Sequence, residues 1–185
     1  MVTGPSGAGK GTLIERVLPR FPELALAVSA TTRPQRPGEQ DGTHYTFLTR
    51  EEFDRRIEAG DFLEWVDYVG NRYGTLLSEI DRLRGEGRSP LLELETEGAL
   101  RVKRRVEGAV TIFVTAPVAE LERRLRERAT ESTGQIGGRI ETARRQLEQR
   151  SEFDYVVEND DLERATADLA RIVSREFAAA TMARP

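Results

Sequence analysis

The chain holds 185 residues, 38% apolar and 32% charged, with a net charge of −4 at neutral pH. That length suits one α/β domain with room for inserts, and the acidic balance argues against a general nucleic-acid-binding role, which draws on a basic face. There is no cysteine, hence no disulfide and no thiolate metal site, and the lone His44 cannot build a multi-histidine centre. No apolar run nears the roughly 20 residues that span a membrane and no signal peptide is evident, so a cytoplasmic location is expected.

Only Met1-Val2-Thr3 precede Gly4, so a very short or trimmed first strand is expected. Gly4-Pro5-Ser6-Gly7-Ala8-Gly9-Lys10-Gly11-Thr12 then fits the spacing of a phosphate-binding loop. Its glycines let backbone N–H groups turn inward around an anion. Lys10 adds a point charge, and the helix that follows to about Leu18 offers its positive dipole end. The hydroxyl that such loops usually carry directly after the lysine is displaced by one position, from Gly11 to Thr12. The stretch reads as a nucleoside-triphosphate site.

Pro19 and Pro22 oppose continuation of that helix. Leu24 to Val28 reads as a short buried strand, and Ser29 to Glu39 as a proline-marked loop carrying Arg33 and Arg36. His44, beside Gly42-Thr43, is a turn residue. Tyr45, Phe47 and Leu48 suggest a strand, and Thr49 with Glu52 is a capping box opening a helix through about Ala59. Phe62 to Val69 reads as a strand, with Gly70-Asn71-Arg72 as the turn and Tyr73-Gly74-Thr75 returning as a hairpin. A helix runs from about Ser78 to Arg84. Ser89-Pro90 leads into Leu91 to Glu95, a central strand ending in carboxylates. A helix follows over Glu97 to Arg105, whose basic run Arg101-Val102-Lys103-Arg104-Arg105 reads as a solvated face. Val110 to Thr115 is the clearest buried strand. Pro117 opens the next helix, where Leu121 and Leu125 share a side. The arginine-rich Arg123 to Arg128 and the polar, glycine-rich Thr133 to Gly138 suit a hinged lid, followed by a helix from Arg139 to about Gln149. Asp154 to Glu158 forms a last strand and Leu162 to Ala179 a last amphipathic helix. This alternation points to an α/β protein with a parallel central sheet covered on both faces.

Several stretches act jointly. They are the loop at 4–12, Ser-Ala-Thr-Thr-Arg at 29–33, and Arg36-Pro37-Gly38-Glu39. Gly42 with Tyr45 and Phe47, Phe62-Leu63-Glu64-Trp65, Gly70-Asn71 with Tyr73-Gly74-Thr75, and Asp154-Tyr155-Val156-Val157 before Asn159-Asp160-Asp161 complete the set. In that order and spacing the chain resembles the guanylate kinase family over nearly its whole length. The resemblance implies a P-loop kinase fold with a parallel central sheet flanked by helices, a mixed GMP-binding insert and a helical lid. The core falls on 1–28, 89–120 and 146–185, the insert on 29–88 and the lid on 121–145. The implied activity is ATP-dependent phosphorylation of GMP, and of dGMP, in purine nucleotide metabolism. ATP and Mg²⁺ are the implied cofactors, with no nucleic-acid or membrane partner.

By position, the resemblance puts Gly4, Pro5, Ser6, Gly7, Ala8, Gly9, Lys10, Gly11, Thr12 and Asn159 on ATP. It puts Arg33, Arg36, Tyr45 and Tyr73 on the GMP phosphate, and Ser29, Glu64, Thr75 and Glu95 on guanine. Lys10, Arg36, Arg128 and Arg139 are the implied catalytic set, the last two swinging in with the lid, and Thr12 is the protein contact for the metal. The chemistry agrees. A phosphate dianion invites planar guanidinium groups, tyrosines add neutral donors, and one carboxylate accepts both N1–H and N2–H₂ of guanine, where adenine offers a lone pair.

Two stretches depart from the family pattern. Glu95-Thr96-Glu97-Gly98 stands where the family usually has Asp-x-Gln-Gly, so the carboxylate is one methylene longer and either shifts at guanine N2 or reaches toward Mg²⁺. Arg128-Ala129-Thr130-Glu131 replaces the usual Arg-Gly-Thr. Two rival readings are a phosphotransferase for another nucleotide or a sugar phosphate, and a non-catalytic protein-binding module of the same family. The base-reading residues speak against the first and the intact loop against the second. A signalling GTPase is disfavoured, since no Asn-Lys-x-Asp motif occurs.

Overall fold

A computed structural model of the chain describes residues 1–127 and 133–182. In chain order the first elements are β1 (Val2–Thr3), α1 (Lys10–Val17), β2 (Leu24–Leu26), β3 (Ala30–Thr31), β4 (Thr46–Phe47), α2 (Arg50–Glu58), β5 (Phe62–Tyr68) and β6 (Asn71–Leu76). There follow α3 (Leu77–Gly85), β7 (Ser89–Leu91), α4 (Thr96–Arg105), β8 (Ile112–Thr115), α5 (Val118–Glu127), α6 (Thr133–Glu148), β9 (Tyr155–Glu158) and α7 (Leu162–Met182).

β1 pairs in parallel with β8, and β8 with β9, while β2 pairs in parallel with β7. Val2 N–H donates to Leu92 O (2.8 Å) and Leu94 N–H to Val2 O (3.0 Å). The chain just beyond β7 therefore runs beside β1, and the layer reads β2, β7, β1, β8, β9, all parallel. Its residues alternate between two cores, as a sheet covered on both faces requires. Val2, Ile112 and Val114 pack toward Leu13, Leu121 and Leu169 of α1, α5 and α7. Phe113 faces the other way, onto Leu83 of α3 and Ala99 and Val102 of α4.

A second sheet, ordered β4, β3, β6, β5, is parallel at β3/β4 and antiparallel elsewhere. α2 packs against it. Thr49 Oγ1 accepts the Glu52 N–H (3.1 Å), which starts that helix as its cap pattern predicts. Phe53 is fully buried there, its ring stacked on Phe62 at 4.4 Å between centroids. Phe53→Ala is expected to destabilise the protein by about 3–5 kcal/mol, read as a lowered urea midpoint.

Three expectations need correction. The loop read over 29–39 opens with β3, whose Thr31 Oγ1 donates to Arg72 O (2.9 Å) across the sheet. The hairpin turn is Val69-Gly70, with Tyr68 opposite Asn71, not Gly70-Asn71-Arg72. Both turn residues have positive φ, +47° for Val69 and +76° for Gly70, which matches the twist of the flanking strands. The β5/β6 ladder carries this register along the hairpin, with Val66 opposite Tyr73, and a slip of one residue would turn Tyr73 and Thr75 to the wrong faces. Finally, the glycine-rich Thr133 to Gly138 is the first part of α6, not a loop before it. α6 lies on α5, with Ile140, Ala143 and Leu147 against Leu121 and Leu125. Arg144 Nη2 also bonds Glu122 (2.7 Å). Among the described residues no helix is long and apolar enough to cross a membrane.

Candidate active site

The glycine loop leaves β1 at the carboxyl end of the parallel layer. Gly4 has φ +137°, and a Cβ there would lie 2.0 Å from Val114 O, so only glycine lets the chain turn so close to β8. The loop is held from outside. Asn159, just past β9 and 4% exposed, donates its Nδ2 to Ala8 O (2.8 Å). Arg124 of α5 donates to Gly7 O (3.2 Å) and Asn159 O (3.3 Å), while its Nε rests on Glu120 (2.7 Å). Lys10 opens α1 and folds its Nζ back onto Gly4 O (2.8 Å) and Pro5 O (3.3 Å).

Two cavities flank the loop. One, of about 430 Å³, is lined by Gly7, Gly9 and Thr12 with Arg124, Asn159 and Asp160. The other, of about 720 Å³, has Ser6, Lys10, Glu93 and Glu95 on the parallel-layer side and residues of the second sheet opposite.

In the wall of the larger cavity, Arg33 forms a paired bond to Glu39, with Nη1···Oε2 at 3.0 Å and Nη2···Oε1 at 2.8 Å. The guanidinium also lies over the rings of Tyr45 (5.3 Å) and Phe47 (5.7 Å). Glu39 accepts the Arg36 N–H as well (2.8 Å). The Arg33 bond holds the Glu39 carboxyl below the usual carboxylate range. Tyr45 meets Tyr73 edge to face at 6.2 Å, and burial pushes the Tyr45 hydroxyl up, so it remains a donor.

Glu64 lines the same cavity. The β5/β6 ladder shifts register between Phe62 and Glu64, and Glu64 then faces Thr75, whose Oγ1 donates to it at 3.0 Å. Such an irregularity re-aims a side chain. Glu64 is 4% exposed and lies so close to α4 that a Cβ on Gly98 would be 2.4 Å from its Oε2. Burial pushes its carboxyl up to about 7, against the bonds from Thr75 and the charge of Arg101, while Glu95 adds to the rise. Glu95 is the residue before α4, and burial raises its carboxyl too. Lys10 and the Gln146 amide (3.3 Å) oppose that rise, and Glu93 reinforces it.

Of the residues singled out in the sequence, Ser6, Lys10, Ser29, Arg33, Arg36, Tyr45, Glu64, Tyr73 and Glu95 line the larger cavity. Thr75 stands behind Glu64, buried. Gly7, Gly9, Thr12 and Asn159 line the smaller one, and Gly4, Pro5, Ala8 and Gly11 complete the loop. Thr12 lines the smaller cavity, and Glu93 and Glu95 the larger. Between them in the loop stands Gly11, where a Cβ would lie 3.8 Å from Glu93 Oε2. Arg128 lies outside the described residues, and of Arg139 only its place on α6 is described.

Two residues escaped the sequence reading. Glu39 was seen only as part of a motif, and its signal is a carboxylate returning through Pro37-Gly38 to two arginines. Arg124 is one of several arginines at i,i+4 from a glutamate, and nothing local marks it out. Among the described residues no group of three or more His, Asp and Glu forms a metal cage. Glu93 and Glu95 beside Lys10 instead suit Mg²⁺, which is commonly held by one or two carboxylates together with substrate phosphates.

A parallel layer whose first strand runs into a glycine loop, with a polar cavity walled by a second sheet, defines the P-loop kinase fold and a phosphotransferase. The comparisons narrow this further. The family model described as guanylate kinase matches residues 1–176. The guanylate kinase of Rubrobacter xylanophilus is 49% identical over 95% of this chain and 92% of its own length. That of Synechococcus sp. (strain JA-3-3Ab) is 47% identical over 94% and 80%. The crystal structure of guanylate kinase from Anaplasma phagocytophilum superposes with a TM-score of 0.75 at 29% identity, covering 95% of this chain and 83% of that one. The chain belongs to the guanylate kinase family.

Proposed function

We propose that the chain transfers the γ-phosphoryl group of ATP to GMP, yielding ADP and GDP, with dGMP as a second acceptor. One observation carries the assignment of the acceptor. A buried carboxylate, Glu64, paired to Thr75, lines the same cavity as Arg33, Arg36, Tyr45 and Tyr73. Glu64 and Glu95 accept the N–H groups of guanine, and the arginines and tyrosines hold the phosphate. That phosphate is already anionic, so its oxygen attacks without a strong general base while the bond between the β-bridging oxygen and the γ-phosphorus breaks.

The protein's work is alignment and charge neutralisation. Lys10 exchanges the carbonyls of Gly4 and Pro5 for phosphate oxygens, and the loop N–H groups surround the donor. Arg36 bridges donor and acceptor, and Asn159 lies where the adenine of ATP approaches. Residues 29–88 act as the GMP-binding insert. Residues 121–145 act as the lid, bringing Arg128 and Arg139 to the transferring group and excluding water. Glu93, beside Lys10, would hold Mg²⁺ together with the substrate phosphates, and the ion would supply positive charge at the transferring group.

ADP release from MgATP with GMP, dGMP, AMP, CMP, UMP and ribose 5-phosphate as parallel acceptors tests the reading. Rapid turnover confined to GMP and dGMP is expected. Turnover with another acceptor overturns the base assignment.

A further inference from the structure

The basic run on α4 is a largely solvated face, as expected, but two of its arginines also reach across to β5. Arg101 Nη1 donates to Trp65 O (2.6 Å) and Arg105 Nη1 to Leu63 O (3.1 Å). These are backbone carbonyls of β5, the edge strand of the second sheet, on either side of Glu64. Two residues along a strand advance about 6.7 Å and four along a helix about 6 Å, so one helical turn of arginines matches the two carbonyls. Gly98, one turn earlier on the same stripe, is the residue against which the Glu64 carboxylate lies. Gly98, Arg101 and Arg105 therefore form one seam along β5. α4 begins immediately after Glu95. A single rigid helix thus carries one of the two carboxylates and grips the strand that carries the other.

We propose that Arg101 is a positioning residue for base recognition, fixing the β5 edge to α4 so that Glu64 and Glu95 address one guanine together. It touches no substrate. It holds the Trp65 carbonyl with one arm of its guanidinium, and Glu97 on its own helix with the other. The charged and titratable neighbours of Glu64 across this seam are Arg101 on α4, which favours its ionised form, and Glu95 before α4, which opposes it. Thr75 on β6 donates its hydroxyl bond from the other side. Arg101 consequently bears on both the place of Glu64 and its charge. The proposal rests on the reading of Glu64 and Glu95 as guanine acceptors.

The test is steady-state kinetics of R101M and R101K from pH 6 to 9, with GMP and ATP varied in turn. R101M keeps the aliphatic stem and loses the donors and the charge. It is expected to raise KM for GMP about tenfold, the scale of one charge-assisted hydrogen bond, with kcat and KM for ATP changed by less than about twofold on the same scale. The acid limb of kcat/KM for GMP is expected to move to higher pH. R101K, which restores charge and one donor, is expected to bring the limb back and recover most of the loss.

Wild-type KM and an unmoved limb in R101M overturn the proposal, and so does an equal rise in KM for ATP, which marks a general structural role. If R101M fails to fold, R105M carries the same test at the Leu63 carbonyl, and an unchanged KM for GMP there is equally decisive. E64Q run in parallel separates the two readings. Unimpaired GMP use by E64Q sinks the base assignment itself, whereas impaired E64Q beside unaffected R101M sinks only the positioning role.

Discussion

Replacing Glu64 by glutamine is expected to lower kcat/KM for GMP by about 10²–10⁴-fold, since two hydrogen bonds to a charged group are each worth about 1.5–3 kcal/mol. Glutamine still offers one carbonyl oxygen, but its amide N–H₂ meets a guanine N–H head on. Discrimination against AMP should collapse, because sites that reject a base by unpaired buried polar groups lose that power once the group is removed. The pH profile adds an independent check. Burial first, and Glu95 as well, lift the Glu64 carboxyl from 4.5 to about 7, so the unliganded protein must lose a proton there before accepting two N–H groups. GMP use should therefore fall as pH drops through about 7. The GMP phosphate itself titrates near about 6, so the informative quantity is the difference between the wild type and E64Q, which lacks the Glu64 limb.

The same shift makes a statement about stability, and its sign is fixed. The folded value lies above the unfolded one, so folding favours the protonated carboxyl. That contribution is full below pH 4.5 and is lost as pH rises through about 7. A gap of about 2.5 units corresponds to roughly 3 kcal/mol. E64Q, which cannot ionise, should thus gain stability relative to wild type between pH 5 and pH 8, measured by urea midpoints at both. A variant less active toward GMP yet relatively more stable at pH 8 is the expected combination. A relative loss of stability at pH 8 would refute the burial argument.

Lys10→Ala should reduce kcat by about 10²–10³-fold or more, the effect of removing one preorganised charge from developing anionic oxygens. The fold should barely respond. Among the described residues the Lys10 ammonium donates to the Gly4 and Pro5 carbonyls, bonds worth about 1 kcal/mol or less each. The loop itself is shaped by other groups, the Asn159 amide on Ala8 and Arg124 on Gly7. Turnover by ADP release and a thermal melt on the same sample separate the two effects. Equal turnover in Lys10→Ala would remove the loop from the reaction.

How much of this was legible in the sequence depended on whether a signal was local. The glycine loop, the Thr49 cap and the alternation of Phe62 to Tyr68 declare themselves within a few residues, and each appears where expected. β3 did not, because two residues in a stretch rich in proline and arginine become a strand only through partners about forty positions away, such as Arg72. The Val69-Gly70 turn was hidden because local preference puts asparagine or glycine where φ is positive. Here cross-sheet register overrode that preference and placed a β-branched residue in a conformation that costs roughly 1–2 kcal/mol. Glycine disfavours a helix by about 1 kcal/mol each, so the start of α6 read as loop, and it is packing of α6 on α5 that offsets this. The site followed the same rule. Residue types gave Arg33, Glu64 and Lys10, whereas Glu39, Arg124 and Arg101 have roles that exist only once distant carbonyls and carboxylates are brought beside them.

The tie between Ala8 and Asn159 spans 151 positions, and it has a bearing on how the protein comes into being. A ribosome delivers the glycine loop well before its partners, since β1 lies between the stretch after β7 and β8, and the loop's outer clasp arrives beyond β9. At about 5–20 residues per second, the loop therefore waits many seconds in an unfinished chain with no seat and no clasp. The clasp that shapes the loop is thus complete only once translation has passed residue 159.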